Sequence, residues 1–188
     1  SSTDFLNQST SIVFNDAYWT SQVVVTLANG STTTSVYDMA GDLLSTAVAG
    51  SGVTTATTSY KYDTLGRVRI SIDPAGNKSH ILYDAAGRKA ADIAADGGLM
   101  EYIYDTDDRL VATVAYANKL SSTTLATLVD GSGNPTSVAL SSVRPTANAN
   151  DRWAWNVYDT ADRLVETIDG AGTATVFTYD GASQLVST

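Results

Sequence analysis

Residues 158–167 read YDTADRLVET, and three other segments of the chain align with them without gaps. These segments are YDTLGRVRIS at 62–71, YDAAGRKAAD at 83–92 and YDTDDRLVAT at 104–113. Two weaker copies, YDMAGDLLST at 37–46 and YDGASQLVST at 179–188, lack the arginine. Successive Tyr-Asp pairs lie 25, 21, 21, 54 and 21 residues apart, and self-similarity at a fixed period is typical of a repeat protein.

Each position of this motif has a physical interpretation. The tyrosine is expected to end a strand, and the aspartate to begin a turn by accepting backbone N–H groups. Gly66 and Gly87 occupy the position that needs a positive φ, and Asp108, Asp162 and Ser183 replace them in other copies. The arginine is expected to open the next strand and to pair with the turn carboxylate. We assign this structural role to Tyr37, Asp38, Tyr62, Asp63, Gly66, Arg67, Tyr83, Asp84, Gly87, Arg88, Tyr104, Asp105, Arg109, Tyr158, Asp159, Arg163, Tyr179 and Asp180.

A second turn lies between successive motifs, at residues 73–77, 96–98 and 169–172. After the first turn, apolar side chains alternate with polar ones, as at Val68, Ile70 and Ile72, which is the period of a strand. Each 21-residue unit is therefore predicted to be one β-hairpin. The chain outside residues 115–151 provides roughly 14 strands, and open sheets wider than about ten strands tend to curl. The predicted fold class is all-β: a curved or spiralling antiparallel sheet of repeated hairpins with one partly helical insertion.

The motif resembles that of the YD-repeat or Rhs-repeat proteins, which include bacterial Rhs toxins, toxin-complex shell proteins and teneurins. The resemblance covers residues 35–113 and 153–188 and is absent from residues 1–34. It implies that the hairpins belong to a long sheet that spirals into a hollow shell, often around a cargo polypeptide. Shell proteins of this family also carry an Asp-Pro-x-Gly autocleavage signature. Residues 73–76 have that pattern but continue directly into the next repeat, so we interpret them as an ordinary turn.

The 54-residue interval indicates an insertion, because residues 115–151 do not align with the repeat. One short helix is predicted over 122–129 and another over 138–144, ended by Pro145. The insertion could serve as a lid, a plug or a docking arm. We favour the alternative that it is a packing appendage, which covers one face of the sheet. The predicted organisation is a non-repeat β lead-in at 1–34, YD repeats at 35–114, the insertion at 115–151 and YD repeats at 152–188. These segments are predicted to form one continuous unit that is a fragment of a longer chain.

Composition narrows the class of partner. Of 20 acidic residues 18 are Asp, and the formal charge is -9, so a row of phosphates would not be neutralised and no nucleic acid is expected. No apolar run is long enough to span a bilayer. The chain has no cysteine and is rich in Thr, Asp and Gly, as many bacterial surface proteins are. We therefore expect a secreted or cell-surface location in bacteria.

Few residues suggest chemistry. His80 is the only histidine and has no Cys or second His to complete a metal site, so we interpret it as structural. Asp107 and Asp108 are paired carboxylates, but they lie in a repeat turn. Residues 130–134 offer oxygen ligands without a bidentate Glu, so structural calcium has a low probability and no cofactor is expected. We predict that the protein is not an enzyme.

Trp153 and Trp155 alternate on one strand face and form a candidate ligand platform, although burial beneath the insertion is favoured. The leading hypothesis is a non-catalytic structural segment of a β-sheet shell or extended surface assembly. Its expected partners are the rest of its own polypeptide or identical subunits, through the sheet edges, and an encapsulated polypeptide or a surface glycan. The alternative hypothesis is an adhesin module that binds carbohydrate or a partner through the insertion and the two tryptophans.

Overall fold

The computed structural model describes residues 2–3, 9–15, 19–50 and 52–188. Parts of the predicted lead-in, at residues 1, 4–8 and 16–18, lie outside the described residues. The chain divides into two compact units, Ser1–His80 with Gly131–Pro135 and Ile81–Asp130 with Thr136–Thr188. The predicted boundaries between lead-in, repeats and insertion stay a prediction.

The first unit consists of antiparallel strands that pair in chain order. β2 and β3 pair over seven positions, from Ser9↔Thr26 to Asn15↔Thr20. β3 and β4 are rich in Val and Thr, whose branched side chains favour extended backbone, and they are half-buried along their whole length. The strands are β1 (Ser2–Thr3), β2 (Ser9–Asn15), β3 (Thr20–Thr26), β4 (Thr32–Tyr37), β5 (Leu43–Gly50), β6 (Val53–Tyr62), β7 (Val68–Ile72) and the first half of β8 (Lys78–Tyr83).

The second unit combines antiparallel strands with two short helices from the insertion. β11 and β12 pair directly, from Ala112↔Trp155 to Ala115↔Arg152, although the insertion separates them in sequence. β15 and β16 pair with each other as a terminal hairpin. Besides the end of β8, the elements are β9 (Lys89–Ile93), β10 (Leu99–Tyr104), β11 (Leu110–Ala115), α1 (Ser122–Ala126), α2 (Leu140–Val143), β12 (Arg152–Tyr158), β13 (Leu164–Ile168), β14 (Ala174–Val176), β15 (Thr178–Tyr179) and β16 (Leu185–Ser187).

The core of the second unit lies between its strands and the insertion. Three apolar side chains of the insertion, Leu120, Leu128 and Val143, pack in one buried cluster with strand residues. Full burial of one such side chain contributes roughly 1.5–3 kcal/mol. The insertion therefore covers one face of the sheet, in agreement with the packing interpretation. The strand residues of this cluster are Leu82, Ala91, Ile93 and Leu99.

Both predicted helices are present and shorter than expected. The Ser121 hydroxyl caps α1 by accepting the N–H of Thr124 at 3.1 Å. The helix does not reach residue 129, because the carbonyl of Leu128 accepts the N–H of Thr136 at 3.0 Å across a turn. α2 ends when Arg144 adopts ψ 126°, since the residue before a proline disfavours the helical region.

The fold is all-β and is built of antiparallel hairpins with a partly helical insertion, which confirms the predicted class. Two details differ from expectation. Strands begin one residue after each motif arginine, at Val68, Lys89, Leu110 and Leu164, because the arginine N–H still closes the turn. In the turn predicted at 96–98, Ala94 rather than an aspartate holds the first position, and its N–H donates to the Gly98 carbonyl at 2.8 Å. The described residues contain no helix that is long and apolar enough to cross a membrane.

Candidate functional site

The Tyr-Asp turns share one hydrogen-bond arrangement. The Oδ1 atom of Asp63 accepts the backbone N–H groups of Leu65 and Arg67, both at 3.0 Å. The N–H of Gly66 donates to the Asp63 carbonyl at 3.1 Å, and Gly66 has φ 73°. Where glycine is replaced, the backbone keeps this left-handed conformation, with φ between 60° and 63° at Asp108, Asp162 and Ser183. The turn is therefore specified by local contacts within five residues.

In the four turns that carry the motif arginine, the second carboxylate oxygen bonds to it. Asp63 Oδ2 lies 2.8 Å from Arg67 Nε and 2.7 Å from its Nη2, a two-pronged contact. Burial alone would raise the pKa of Asp63, but the hydrogen bonds from Arg67 outweigh burial and lower it. At Asp159, the backbone and side chain of Arg163 lower the pKa. Arg109 makes the same two-pronged contact with Asp105, and Arg88 Nε lies 2.8 Å from Asp84 Oδ2.

In the second unit, each motif arginine also contacts the following repeat. Arg88 Nη1 lies 2.5 Å from the carboxylate of Asp108, and Arg109 Nη1 lies 2.5 Å from that of Asp162. Arg163 Nη1 donates to the hydroxyl of Ser183 at 3.2 Å. The residue with positive φ in one turn is thus the acceptor for the arginine of the preceding turn.

The tyrosine of the following repeat completes this contact. Arg88 lies over the Tyr104 ring at 4.6 Å, and Arg109 lies over the Tyr158 ring at 5.1 Å. The Tyr104 hydroxyl donates to the Lys89 carbonyl at 3.0 Å, and the Tyr158 hydroxyl donates to that of Leu110 at 3.1 Å. Arg163 and Tyr179 repeat the arrangement. We call these contacts, in which one arginine joins its own aspartate to the next repeat, the repeat ladder.

The first motif departs from this chemistry. Asp42 stands where the next four copies of the motif have arginine, and its carboxylate faces Gly66 of the next turn. A Cβ built on Gly66 would lie 3.6 Å from Asp42 Oδ2. The Tyr62 hydroxyl still donates to the Leu43 carbonyl at 2.8 Å. A carboxylate thus stands in place of the guanidinium at a turn whose successor carries glycine rather than aspartate.

A buried carboxylate that sequence reasoning missed attaches the insertion to the sheet. The Glu101 side chain is 8% exposed and accepts Arg144 Nη2 at 2.6 Å, Arg144 Nε at 2.8 Å and the Tyr116 hydroxyl at 2.7 Å. Burial and then the Glu101 carboxylate raise the pKa of Tyr116 to about 12. We call these three residues the Glu101 clasp. The only sequence signal for it was that glutamate occurs just twice in the chain.

Trp153 and Trp155 lie side by side on β12 with ring centroids 5.9 Å apart and an interplanar angle of 10°. Trp155 is 41% exposed and Trp153 is half-buried. The favoured expectation of burial is therefore wrong for Trp155, because the cluster beneath the insertion draws its strand residues from β8–β10. Their role as a ligand platform stays a prediction.

The residues considered for chemistry have structural surroundings. His80 is buried opposite Ile70, and burial, with Lys78 and Arg69 nearby, lowers its pKa. Asp108 is bonded to Arg88, as described above. Asn134 Oδ1, in the loop considered for calcium, accepts the Lys61 ammonium at 3.1 Å. Across residues 2–3, 9–15, 19–50 and 52–188, no three His, Asp or Glu side chains converge as metal ligands.

These contacts define a class of protein: an all-β repeat protein whose motif side chains join consecutive hairpins. The RHS Repeat family model matches residues 158–188, which contain the last two copies of the motif. The match confirms the predicted resemblance to YD-repeat or Rhs-repeat proteins. No curated protein sequence matches the chain.

Several solved toxin structures are similar to the chain. The Tc holotoxin pore of Photorhabdus luminescens matches at 14% identity and a TM-score of 0.28, over 95% of this chain and 13% of that chain. The crystal structure of TcdB2-TccC3 matches at 15% identity and a TM-score of 0.29, over 94% and 13%. TcdB2-TccC3-Cdc42 matches at 13% identity and a TM-score of 0.28, over 95% and 14%. The chain thus spans 13–14% of the length of these solved chains.

Proposed function

We propose that the chain is a non-catalytic structural segment of a larger secreted or cell-surface bacterial protein, in which YD repeats form part of a β-sheet shell or extended assembly. The repeat ladder carries this proposal. In the second unit, the motif aspartates bond to the backbone of their own turns, and the motif arginines bond to the neighbouring repeat. The repeated residues thus act to join hairpins. Repeat proteins gain much of their stability from such nearest-neighbour contacts.

The sheet edges support assembly with further strands. Among the described residues, β16 pairs with β15 alone, and its Leu185 and Val186 are 53% and 61% exposed. An exposed apolar edge strand presents unpaired N–H and C=O groups that accept another strand. The partners proposed for this edge are the remainder of the same polypeptide or an identical subunit.

Two measurements on the full chain test the proposal. Hydrogen exchange should show that Arg109→Met lowers protection in both repeats that Arg109 joins, while Thr106→Ala, at an exposed position of the same turn, changes it little. Sedimentation velocity should show association that rises with concentration and is reduced by Val186→Pro, which removes a strand N–H donor. Protection lost only at residue 109, together with a monomer at all concentrations, would contradict the proposal.

A second candidate function is a module that binds carbohydrate or a partner. The observation that favours it is Trp155, which is exposed and stacked on Trp153. Carbohydrate binding that depends on Trp155 would support this candidate. A glycan array probed with the wild-type chain and with Trp155→Ala tests it. A glycan signal that is lost in Trp155→Ala while the variant stays folded would show that the exposed indole binds the sugar.

A further inference from the structure

An apolar surface with one charge lies on the second unit, on the sheet face that also carries the insertion. Residues paired across antiparallel strands point to the same face, and the pairs Glu101↔Val114 and Val114↔Trp153 place Trp153 on the face of the Glu101 clasp. Trp155 shares that face because strand side chains alternate. Trp155 and Val157 are each 41% exposed.

Glu166 is the charged group on this surface. It pairs with Val157, while Ile168, two residues further along β13, pairs with Trp155. Glu166 and Trp155 are therefore diagonal neighbours on one face, a separation that aromatic and long side chains span. Across the described parts of the chain, no ammonium or guanidinium bonds to Glu166 or lies over either indole ring.

Elsewhere in the same unit, an aromatic ring and a neighbouring carboxylate together bind the cationic side chain of a lysine or an arginine. Lys89 lies 4.5 Å from the centroid of the Tyr102 ring and 2.7 Å from the Asp92 carboxylate. The arginines of the repeat ladder likewise lie over a tyrosine while bonded to aspartates. Tryptophan is a better partner for a cation than tyrosine, because its larger ring has a stronger negative face. Trp155 and Glu166 thus reproduce the arrangement with no cation supplied by the described residues.

We propose that Trp155 and Glu166 bind an arginine or lysine side chain of a basic partner polypeptide, with Trp153 extending the aromatic surface. The net charge of -9 favours such a partner, since an acidic protein attracts cations and accelerates their association. The site does not require the chain to be part of a shell, so this inference goes beyond the structural function and does not depend on it. A neutral sugar would use the indoles but would not require the charge of Glu166.

NMR on the full chain separates these ligands through the three indole N–H signals. The probe is the peptide Gly-Arg-Gly-Arg-Gly in low salt, with a peptide carrying citrulline for arginine as its neutral counterpart. We expect the arginine peptide to shift the Trp153 and Trp155 signals, while Trp19, which lies in the other unit and is 68% exposed, serves as the internal control. The citrulline peptide should not bind, and 0.5 M NaCl should weaken binding of the arginine peptide, because salt screens the charges.

Matched variants test the role of the carboxylate. Glu166→Gln keeps the shape of the side chain. It should lower the affinity for the arginine peptide about fivefold, which corresponds to about 1 kcal/mol. Asp107→Asn removes the same charge from a side chain that is 67% exposed and should leave the affinity unchanged. Equal binding by wild type and Glu166→Gln, or no binding by the wild type, overturns the proposal. So does a neutral cello-oligosaccharide that shifts the Trp153 and Trp155 signals equally in wild type and in Glu166→Gln.

Discussion

The guanidinium of Arg109 lies 2.5 Å from the carboxylate of Asp162, although the two residues are 53 positions apart in the chain. The equivalent contact between Arg88 and Asp108 spans 20 positions. The two contacts are alike because the insertion leaves after β11 and returns into β12, which pairs directly with β11. The repeat ladder therefore continues past the insertion as if those residues were absent.

The Arg109–Asp162 contact should contribute measurably to stability. Asp162→Asn keeps a residue that tolerates positive φ but removes the charge, and it should lower Tm by roughly 2–4 °C. Arg109→Met should lower Tm further, because it also removes the contacts with Asp105 and Tyr158. In a double-mutant cycle followed by thermal unfolding, the combined loss should be smaller than the sum. Additive losses would show that the two side chains do not interact.

Because Asp42 faces Gly66, we predict that an acidic residue at position 66 destabilises the fold. Gly66→Asp should lower Tm, because the new carboxylate would face that of Asp42. Gly66→Asn is the matched control and should cost less, since it has no charge. The double variant Gly66→Asp with Asp42→Arg should recover the Tm, because it recreates the pairing of the repeat ladder. A double variant that is less stable than Gly66→Asp alone would contradict this.

The Glu101 clasp should fix the insertion on the sheet. Glu101→Gln leaves Arg144 and Tyr116 without a charged acceptor and should cost about 1–3 kcal/mol, less than a fully buried pair because Arg144 is 46% exposed. Urea denaturation measures the loss, and limited proteolysis should cut within residues 116–151 first. Glu166→Gln is the control, because its carboxylate lies outside the clasp; equal stability of the two variants would contradict the role of the clasp.

The turn carboxylates predict loss of stability in acid. The pKa of Asp63, Asp84 and Asp159 is lowered in the folded chain from the ordinary value of 3.8. A lowered folded pKa gives stability that is complete above 3.8 and is lost as the pH falls through the folded value. Thermal unfolding from pH 5 to pH 2 should therefore show a steep fall in Tm below about pH 4. Replacing Arg67 with Met should make this fall shallower, because Asp63 then loses the charged donor that lowers its pKa; an unchanged fall would contradict this.

His80 should affect stability over a different range of pH from the turn carboxylates. Its folded pKa lies below the ordinary value of 6.5, so its stabilising effect is complete above 6.5 and is lost as the pH falls below that value. Tm should decline gently from pH 6.5 toward pH 5 in the wild type and not in His80→Gln. The acid loss below pH 4 should be the same in both proteins. If His80→Gln retains the gentle decline, another group causes it.

The hairpin unit could be predicted from sequence because its contacts are local. The Asp63 carboxylate bonds to residues two and four positions away, so a ten-residue alignment contains the whole turn. The positive φ of Asp108 and Asp162 followed from their alignment with glycine. The reach of an arginine into the next repeat could not be predicted, because that contact depends on how neighbouring hairpins are stacked.

The insertion limited prediction of the candidate sites. Glu101 and Arg144 lie 43 positions apart, and nothing in the repeat pattern relates them. Alternation placed Trp153 and Trp155 on one strand face, but the extent of the cover above them depends on how the insertion folds back. Exposure of Trp155 was thus decided by packing of the inserted chain, which has no repeat to align.

The direction of the repeat ladder has a consequence for how such chains change length. Each motif arginine of the second unit bonds toward its C-terminal neighbour. A unit with Asp at the position of positive φ therefore presents a donor at one end and its acceptors, tyrosine and aspartate, at the other. Tandem duplication of the 21-residue unit at 158–178 would insert one donor and one set of acceptors in register. Gene copies of such a unit can therefore accumulate without creating an unmatched charge, whereas the turn at Asp42, which offers an acid where a donor is needed, is a point where this exchange stops.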